Sequence, residues 1–287
     1  MPKPHLLIFG LGYAGMAVAR HALEAGLAVS ATSRDPARLA APPGVTVWRF
    51  GATLPGDVTH VLATAAPELA GDPVLAAHGT ALARAAGLRW AGYLSTTGVY
   101  GDRGGGWVDE ATPVAPGADR SRRRVAAEQE WTALAGTIAV DLFRVAGIYG
   151  PGRSAFEDLR SGRARRIIRP GHQFGRIHRD DIAGAVLAAI GQDVPPGVRV
   201  LHLADDVPAE SAAVITAAAD MLGVALPPAV PFDQAAMSAM ARSFWAENRR
   251  VSSAATQAML GYRWRYPSYR EGLRAILLEE GVDRAGQ

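Results

Sequence analysis

The feature that most constrains this chain is a set of glycines close to its start. Leu6-Leu7-Ile8-Phe9 is a short apolar run, and Gly10-Leu11-Gly12-Tyr13-Ala14-Gly15 follows it directly. Tyr13 to Ala25 then has helical periodicity and closes at Gly26. A Gly-x-Gly-x-x-Gly spacing is weak alone and specific between a strand and a helix. Gly10 permits a tight turn, Gly12 lets the backbone approach a pyrophosphate, and Gly15 lets helix and strand pack closely. The helix N-terminus adds unpaired N–H groups and a partial positive charge. The competing reading, a glycine turn that binds nothing, does not need this context.

The following residues keep the same rhythm. Strands are predicted at Ala28–Thr32, Val45–Phe50, His60–Thr64, Trp90–Ser95 and Ile138–Arg144, with helices at Ala76–Ala86 and Arg122–Ala135 between them. Such alternation implies a parallel sheet covered by helices on both faces, a doubly wound α/β fold of Rossmann type. From Gly150 the rhythm loosens. A helix is expected at Asp181–Gly191, a last strand at Arg199–Leu203, and helices at Glu210–Leu222, Asp233–Ala246, Ser253–Leu260 and Tyr269–Glu280. Residues 1–152 therefore read as a dinucleotide-binding domain whose sheet is completed by about 177–203. Residues 153–176 and 204–287 read as a smaller C-terminal substrate lobe.

Composition removes other classes. The chain has 287 residues, 49% apolar and 20% charged, which excludes a disordered protein or a collagen-like fibre. It has no cysteine, so thiolate nucleophiles, Fe–S clusters and Cys-ligated zinc are excluded. The seven histidines lack spacing suited to a metal. Leu6 to Ala19 is shorter than the ~20 residues of a membrane-spanning helix. Lys3 in front of it could suggest a signal peptide, but the glycine spacing explains the stretch better. The reading is a cytoplasmic protein with no membrane partner.

The second strand decides between cofactors. It ends Ala31-Thr32-Ser33-Arg34, where an NAD enzyme commonly places an acidic residue for the ribose 2′-hydroxyl. Ser33, Arg34 and Arg38 instead offer a hydroxyl and guanidinium forks suited to a 2′-phosphate. NADP is expected. Asp35 is expected to cap a helix starting at Pro36.

Further segments carry a family resemblance. Leu94-Ser95-Thr96-Thr97-Gly98-Val99-Tyr100-Gly101 resembles the strand-five signature of extended short-chain dehydrogenase/reductases. Phe143 to Gly152 is similar to their strand-six segment, and Ile177-His178-Arg179-Asp180-Asp181-Ile182-Ala183 to their IHVDDVA segment. Asn248 to Ser252, Leu260-Gly261-Tyr262 and Tyr266 to Gly272 resemble the tail of bacterial NAD(P)-dependent epimerase/dehydratase-like proteins. The resemblance covers nearly the whole chain. It implies cofactor contacts at Gly10, Gly12, Tyr13, Ala14, Gly15, Thr64, Ala65, Ala66, Ser95, Arg124, Ala146 and Gly147. It also implies substrate contacts at Tyr149, Arg153 and Arg250.

The resemblance also implies a catalytic set of Ser/Thr, Tyr and a Lys four residues later, often with Asn. Thr96 matches the first. Taking Glu128 as the glutamate of the following helix, the Tyr and Lys positions are Arg120 and Arg124. No other register restores the pair, because 29 of the 30 basic residues are arginine and the single lysine is Lys3. The only asparagine is Asn248, and Gly147 stands where many members have Asn. Arg120 stays protonated and cannot serve as general base. Arg124 can still bind a ribose hydroxyl or a phosphate. A proton donor would then come from Thr96, Tyr100 or Tyr149, or from Asp109 or Glu110; the tyrosines otherwise serve as pocket walls.

Eight arginines lie between Arg153 and Arg179, which fits either an anionic substrate or a solvated surface. Nucleic-acid binding is disfavoured, because only Phe156 and Phe174 interleave and the net charge is +3. His178 and Asp181 are expected to be structural, with Asp181 capping the next helix. The aromatic residues of Tyr262–Tyr269 are expected in the core or at a subunit contact. Surface helices of this family pair two subunits in a four-helix bundle, which makes a homodimer compatible with the sequence, though nothing in it requires one.

Two functions follow. One is an NADP-binding oxidoreductase or epimerase/dehydratase-like enzyme acting on a small polar or phosphorylated carbonyl or hydroxyl substrate. The other is a non-catalytic NADP(H)-binding redox sensor or regulatory protein signalling through its C-terminal lobe.

Overall fold

The computed structural model describes residues 3–281. Seven parallel strands form one sheet in the order Gly197–Leu203, Ala139–Val145, Trp90–Thr96, His60–Ala63, His5–Phe9, Ala28–Ser33, Val45–Arg49. Chain order reverses between His5–Phe9 and His60–Ala63, and ligands of such sheets bind beyond the strand ends at that reversal. The first strand is apolar at every position but its first because helices cover both faces. Leu6 and Ile8 pack with Val18 of the Tyr13–Glu24 helix and with Ile182 and Val186 of the Arg179–Ile190 helix. Leu7 and Phe9 point the other way, into a core with Leu82 and Trp131. The period-two alternation of strand side chains produces this split.

A third apolar cluster, Tyr149, Phe156, Val214, Tyr269 and Leu273, joins helices Ala155–Arg160, Ser211–Leu222 and Tyr269–Glu279 beyond the sheet's edge. The segment around Leu260 and Trp264 returns to the main core, where Trp264 is 5% exposed. No described helix is long and apolar enough to cross a membrane.

Several local expectations are corrected. The helix expected at Ala76 begins at Pro73, because the Asp72 carboxylate accepts from the N–H groups of Val74 and Leu75 at 2.9 and 3.0 Å. Asp35 makes no capping bond; Pro36–Arg38 is a single 3-10 turn, and Asp35 lies 3.7 Å from Arg38. Asp181 does not cap its helix either. His178 does so, its Nδ1 accepting from the Asp180 N–H at 3.2 Å. Burial pushes the His178 pKa down to about 4, which keeps that nitrogen an acceptor. One turn further in, Asp181 accepts from Tyr262 Oη and from the N–H groups of Arg265 and Tyr266, pinning the tail. The helix expected at Asp233–Ala246 is only Ala239–Trp245, preceded by strand Ala229–Pro231 and a turn at Phe232–Gln234.

Candidate functional site

The glycine turn sits at the sheet's reversal point. Gly10 has φ of +94°, and a Cβ there would stand 2.9 Å from Thr64 Oγ1. The Thr64 hydroxyl donates to Gly10 O at 2.5 Å and so ties the two diverging strands together. A Cβ on Gly15 would meet Gly10 O at 2.5 Å, so only glycine lets this helix approach the turn. Gly12 has open space on its Cβ side and offers no side-chain cap, leaving the first helical N–H groups available to a ligand. Gly12, Tyr13, Ala14, Gly15, Thr64, Ser95, Arg124 and Arg153 line a cleft of about 200 Å³ beside it.

Arg124 is fixed there through one end. Its Nη1 donates to Leu94 O at 2.8 Å and Tyr93 Oη at 3.0 Å, with Ala65 O at 3.5 Å. Ser95 donates to Glu128 at 2.5 Å, and Glu128 is itself paired with Arg144. Tyr13 donates to Pro151 O at 2.9 Å, beneath the guanidinium groups of Arg153 and Arg179. At the end of the second strand, Ser33 Oγ accepts from the Asp35 N–H, and Arg34 and Arg38 are exposed. Ala66 is exposed as well.

A larger cavity of about 470 Å³ shares the walls Val145 and Ile148 with this cleft. Thr96, Ala146, Gly147 and Tyr149 form its floor, and Ala241, Phe244, Trp245, Glu247 and Arg249 line it from the C-terminal segment. Thr96 Oγ1 accepts from the Gly98 N–H at 3.1 Å, which leaves the hydroxyl proton free to be donated. Tyr149 donates to Ser268 O at 3.3 Å, and burial pushes its pKa well above the usual range, so it stays a neutral phenol. Arg176 lines this cavity and a neighbouring one of about 380 Å³ that also contains Arg153; Arg153, expected as a substrate contact, lines the glycine-turn cleft and not the larger cavity.

Other expected residues lie elsewhere. Tyr100 has no exposed surface; its hydroxyl is 2.5 Å from His202 Nε2 and accepts from Arg144 Nη1 at 2.7 Å. His202 Nδ1 faces Ser252 O at 2.7 Å, so that nitrogen carries the proton and Tyr100 donates to Nε2. A phenol held in this way is neither offered to a substrate nor a wall of the larger cavity. Arg120 reaches the Ala239–Trp245 helix, donating to Ser243 and lying over the Phe244 ring. Asp109 binds Thr112, and Glu110 accepts from Thr256. Arg250 donates to Gly105 O at 2.7 Å and lies over Trp107, while its neighbour Arg249 takes the cavity wall and pairs with Glu247 at 2.7 Å. Strand Arg250–Val251 pairs with Trp107–Val108, and this register was absent from the sequence reading. Arg176 was likewise missed within the arginine run. Among the described residues no group of three His, Asp or Glu side chains could hold a metal ion.

No protein-family model matches the sequence, and no curated protein does. Among solved structures, a functionally unknown conserved protein from Silicibacter pomeroyi DSS is 45% identical, with 97% of this chain and 99% of that one covered and a TM-score of 0.89. MoeE5 in complex with UDP-glucuronic acid and NAD is 18% identical, with 97% and 100% covered and a TM-score of 0.76. A human epimerase family protein with NADPH is 19% identical, with 95% and 98% covered and a TM-score of 0.74. The chain belongs to the family of the Silicibacter pomeroyi protein and has the fold of the NAD(P)-dependent epimerase/dehydratase group of short-chain dehydrogenase/reductases.

Proposed function

We propose that this protein is an NADP-dependent oxidoreductase or epimerase/dehydratase-like enzyme acting on a small polar or phosphorylated carbonyl or hydroxyl substrate. The observation that carries the reading is that the glycine-turn cleft and the 470 Å³ cavity meet along Val145 and Ile148. A ligand held by Gly12, Arg124 and Arg153 would abut one held beside Thr96. When bound, the nicotinamide supplies hydride transfer. Thr96 donates a hydrogen bond to the substrate oxygen, and the helix N-terminus with Arg124 and Arg153 holds the anionic part of the cofactor. Ser33 and Arg34 supply the preference for a 2′-phosphate.

The reading is supported by fold neighbours solved with NAD and with NADPH. The test is incubation with NADPH deuterated at the reactive nicotinamide carbon, each face separately, together with a metabolite extract. Deuterium in a metabolite is the expected result, and NADPH is expected to bind at least tenfold tighter than NADH. Binding of neither nucleotide overturns the reading.

A second reading, a non-catalytic NADP(H) sensor, draws on one observation. Arg120, at the position where the resemblance expects the acid/base Tyr, instead donates to Ser243 of the helix lining the cavity. Tight NADPH binding without deuterium transfer would favour it.

A further inference from the structure

We infer that the 470 Å³ cavity takes a carboxylate on Arg176, so that the substrate is an organic acid; this rests on reading the cavity as the substrate site. The Arg176 Nη1 donates to Phe174 O at 2.9 Å and to Ala209 O at 3.0 Å. Those bonds fix the guanidinium, and among the described residues its Nε/Nη2 edge has no hydrogen-bond partner. Two other arginines of this chain show what that edge does. Arg144 presents Nε and Nη2 to the two oxygens of Glu128 at 3.1 and 2.7 Å. Arg199 presents the same pair to Asp141 at 2.7 and 2.6 Å. In Arg176 the same edge belongs to a side chain that lines a cavity. A planar carboxylate matches that fork with two parallel bonds.

Charge counting points to a monoanion. Arg176, Arg249 and Glu247 are the charged side chains lining the cavity, a net charge of +1. Arg249 is committed to Glu247 at 2.7 Å and to Gly101 O at 2.8 Å. Asp205 is the carboxylate whose charge acts most on Arg176. Asp205 is buried with neither oxygen hydrogen-bonded and does not line the cavity; burial pushes its pKa up to about 8, against the pull of the Arg176 charge. A phosphate dianion would carry one charge more than the lining balances. Phe174, Phe244, Trp245 and Tyr149 give the cavity aromatic walls, and Thr96, Thr97, Gln173 and Ser211 add neutral polar groups. The substrate is therefore a hydroxy or oxo carboxylic acid whose body packs against aromatic rings.

The test titrates the full chain with benzoate, benzamide and phenyl phosphate by calorimetry, with NADPH titrated in the same preparations. Benzoate is expected to bind at least tenfold tighter than either analogue. R176K, which keeps charge but loses the fork, is expected to lose at least tenfold in benzoate affinity while retaining NADPH binding, which also reports that it folds. Equal or tighter binding of benzamide or phenyl phosphate, or no benzoate binding, overturns the inference, and so does undiminished binding to R176K. These wild-type comparisons stand even if R176K does not fold. NADPH binding without benzoate binding would sink this inference alone. Benzoate binding without NADPH binding would sink the reductase reading and leave the carboxylate site.

Discussion

Glu128 and Arg144 meet through two parallel hydrogen bonds in the protein interior, with their side chains 5% and 8% exposed. Glu128 also receives the Ser95 hydroxyl, and Arg144 reaches the Tyr100 hydroxyl. One ion pair thus fixes the end of the Trp90–Thr96 strand and, through Ser95, a wall of the glycine-turn cleft. Breaking such a pair from one side leaves a buried charge unpaired and costs roughly 3–5 kcal/mol. E128A is expected to lose that much in urea unfolding and to bind NADPH more weakly. A loss below roughly 1 kcal/mol would show that the pair contributes little.

The second and third glycines of the motif should separate binding from folding. A Cβ on Gly15 would stand 2.5 Å from Gly10 O, so G15A must push helix from strand. Overpacking of this kind costs roughly 1–3 kcal/mol. Gly12 has an ordinary extended backbone, φ −80° and ψ −165°, and open space for a Cβ. G12A is expected to keep the melting temperature of the wild type while weakening NADPH binding by roughly tenfold, because the methyl group occupies room needed for close backbone approach. A G12A protein that binds NADPH normally would argue against a pyrophosphate at this turn.

Arg34 lies exposed at the end of the second strand, where an NAD enzyme would carry an acid. A charge-assisted bond to a 2′-phosphate contributes roughly 1.5–3 kcal/mol, and exposure trims this to the lower end. R34A is expected to weaken NADPH by roughly tenfold and leave NADH unchanged, measured by nucleotide fluorescence. An unchanged NADPH affinity would remove Arg34 from the site.

What could be read in the sequence was whatever is local. The strand–glycine–helix order placed Gly10, Gly12 and Gly15 because their roles depend on neighbours a few residues away. The fold class followed from alternation of short apolar runs with amphipathic ones. Arg176 was hidden because its two carbonyl anchors, Phe174 and Ala209, lie two and 33 residues away and nothing local marks the second. Arg249 and Arg250 differ only by strand register against Trp107–Val108, a pairing across more than a hundred residues. Tyr100 looked available because its segment ends at the ligand-binding edge of the sheet, yet Arg144 and His202 draw its hydroxyl inward. Asp72 was overlooked although Asp followed by Pro is a local helix-start signal.

Asp205 gives a pH dependence of known sign. Burial raises its pKa to about 8, above the value near 3.9 of an unfolded chain. Between those values the folded state holds a proton that the unfolded state releases, so stability falls as pH rises from about 4 to about 8 and the penalty is complete above that. D205N cannot titrate. It is expected to match the wild type near pH 4 and exceed its stability at pH 9, as read by urea unfolding at each pH. Parallel pH profiles for the two proteins would show that Asp205 ionises normally.

Arg120 anchors the helix that lines the cavity. Its Nη1 donates to Ser243 Oγ at 2.6 Å, and its guanidinium lies 4.1 Å from the Phe244 ring centroid. Both partners belong to the Ala239–Trp245 helix, two turns long, whose Met240 and Phe244 are 71% and 53% exposed. A helix this short has little stability of its own and depends on tertiary contacts. One hydrogen bond and one exposed cation–π contact together supply roughly 1–2.5 kcal/mol. R120A should then raise the population of the opened helix roughly tenfold, seen as faster amide exchange confined to residues 239–245. The inner side of the same helix offers a different anchor, Trp245, which packs on His172, Phe174 and Phe232 at 5.0, 4.9 and 5.4 Å. Unchanged exchange in R120A would mean that this aromatic cluster alone holds the helix over the cavity, and W245A would then release it.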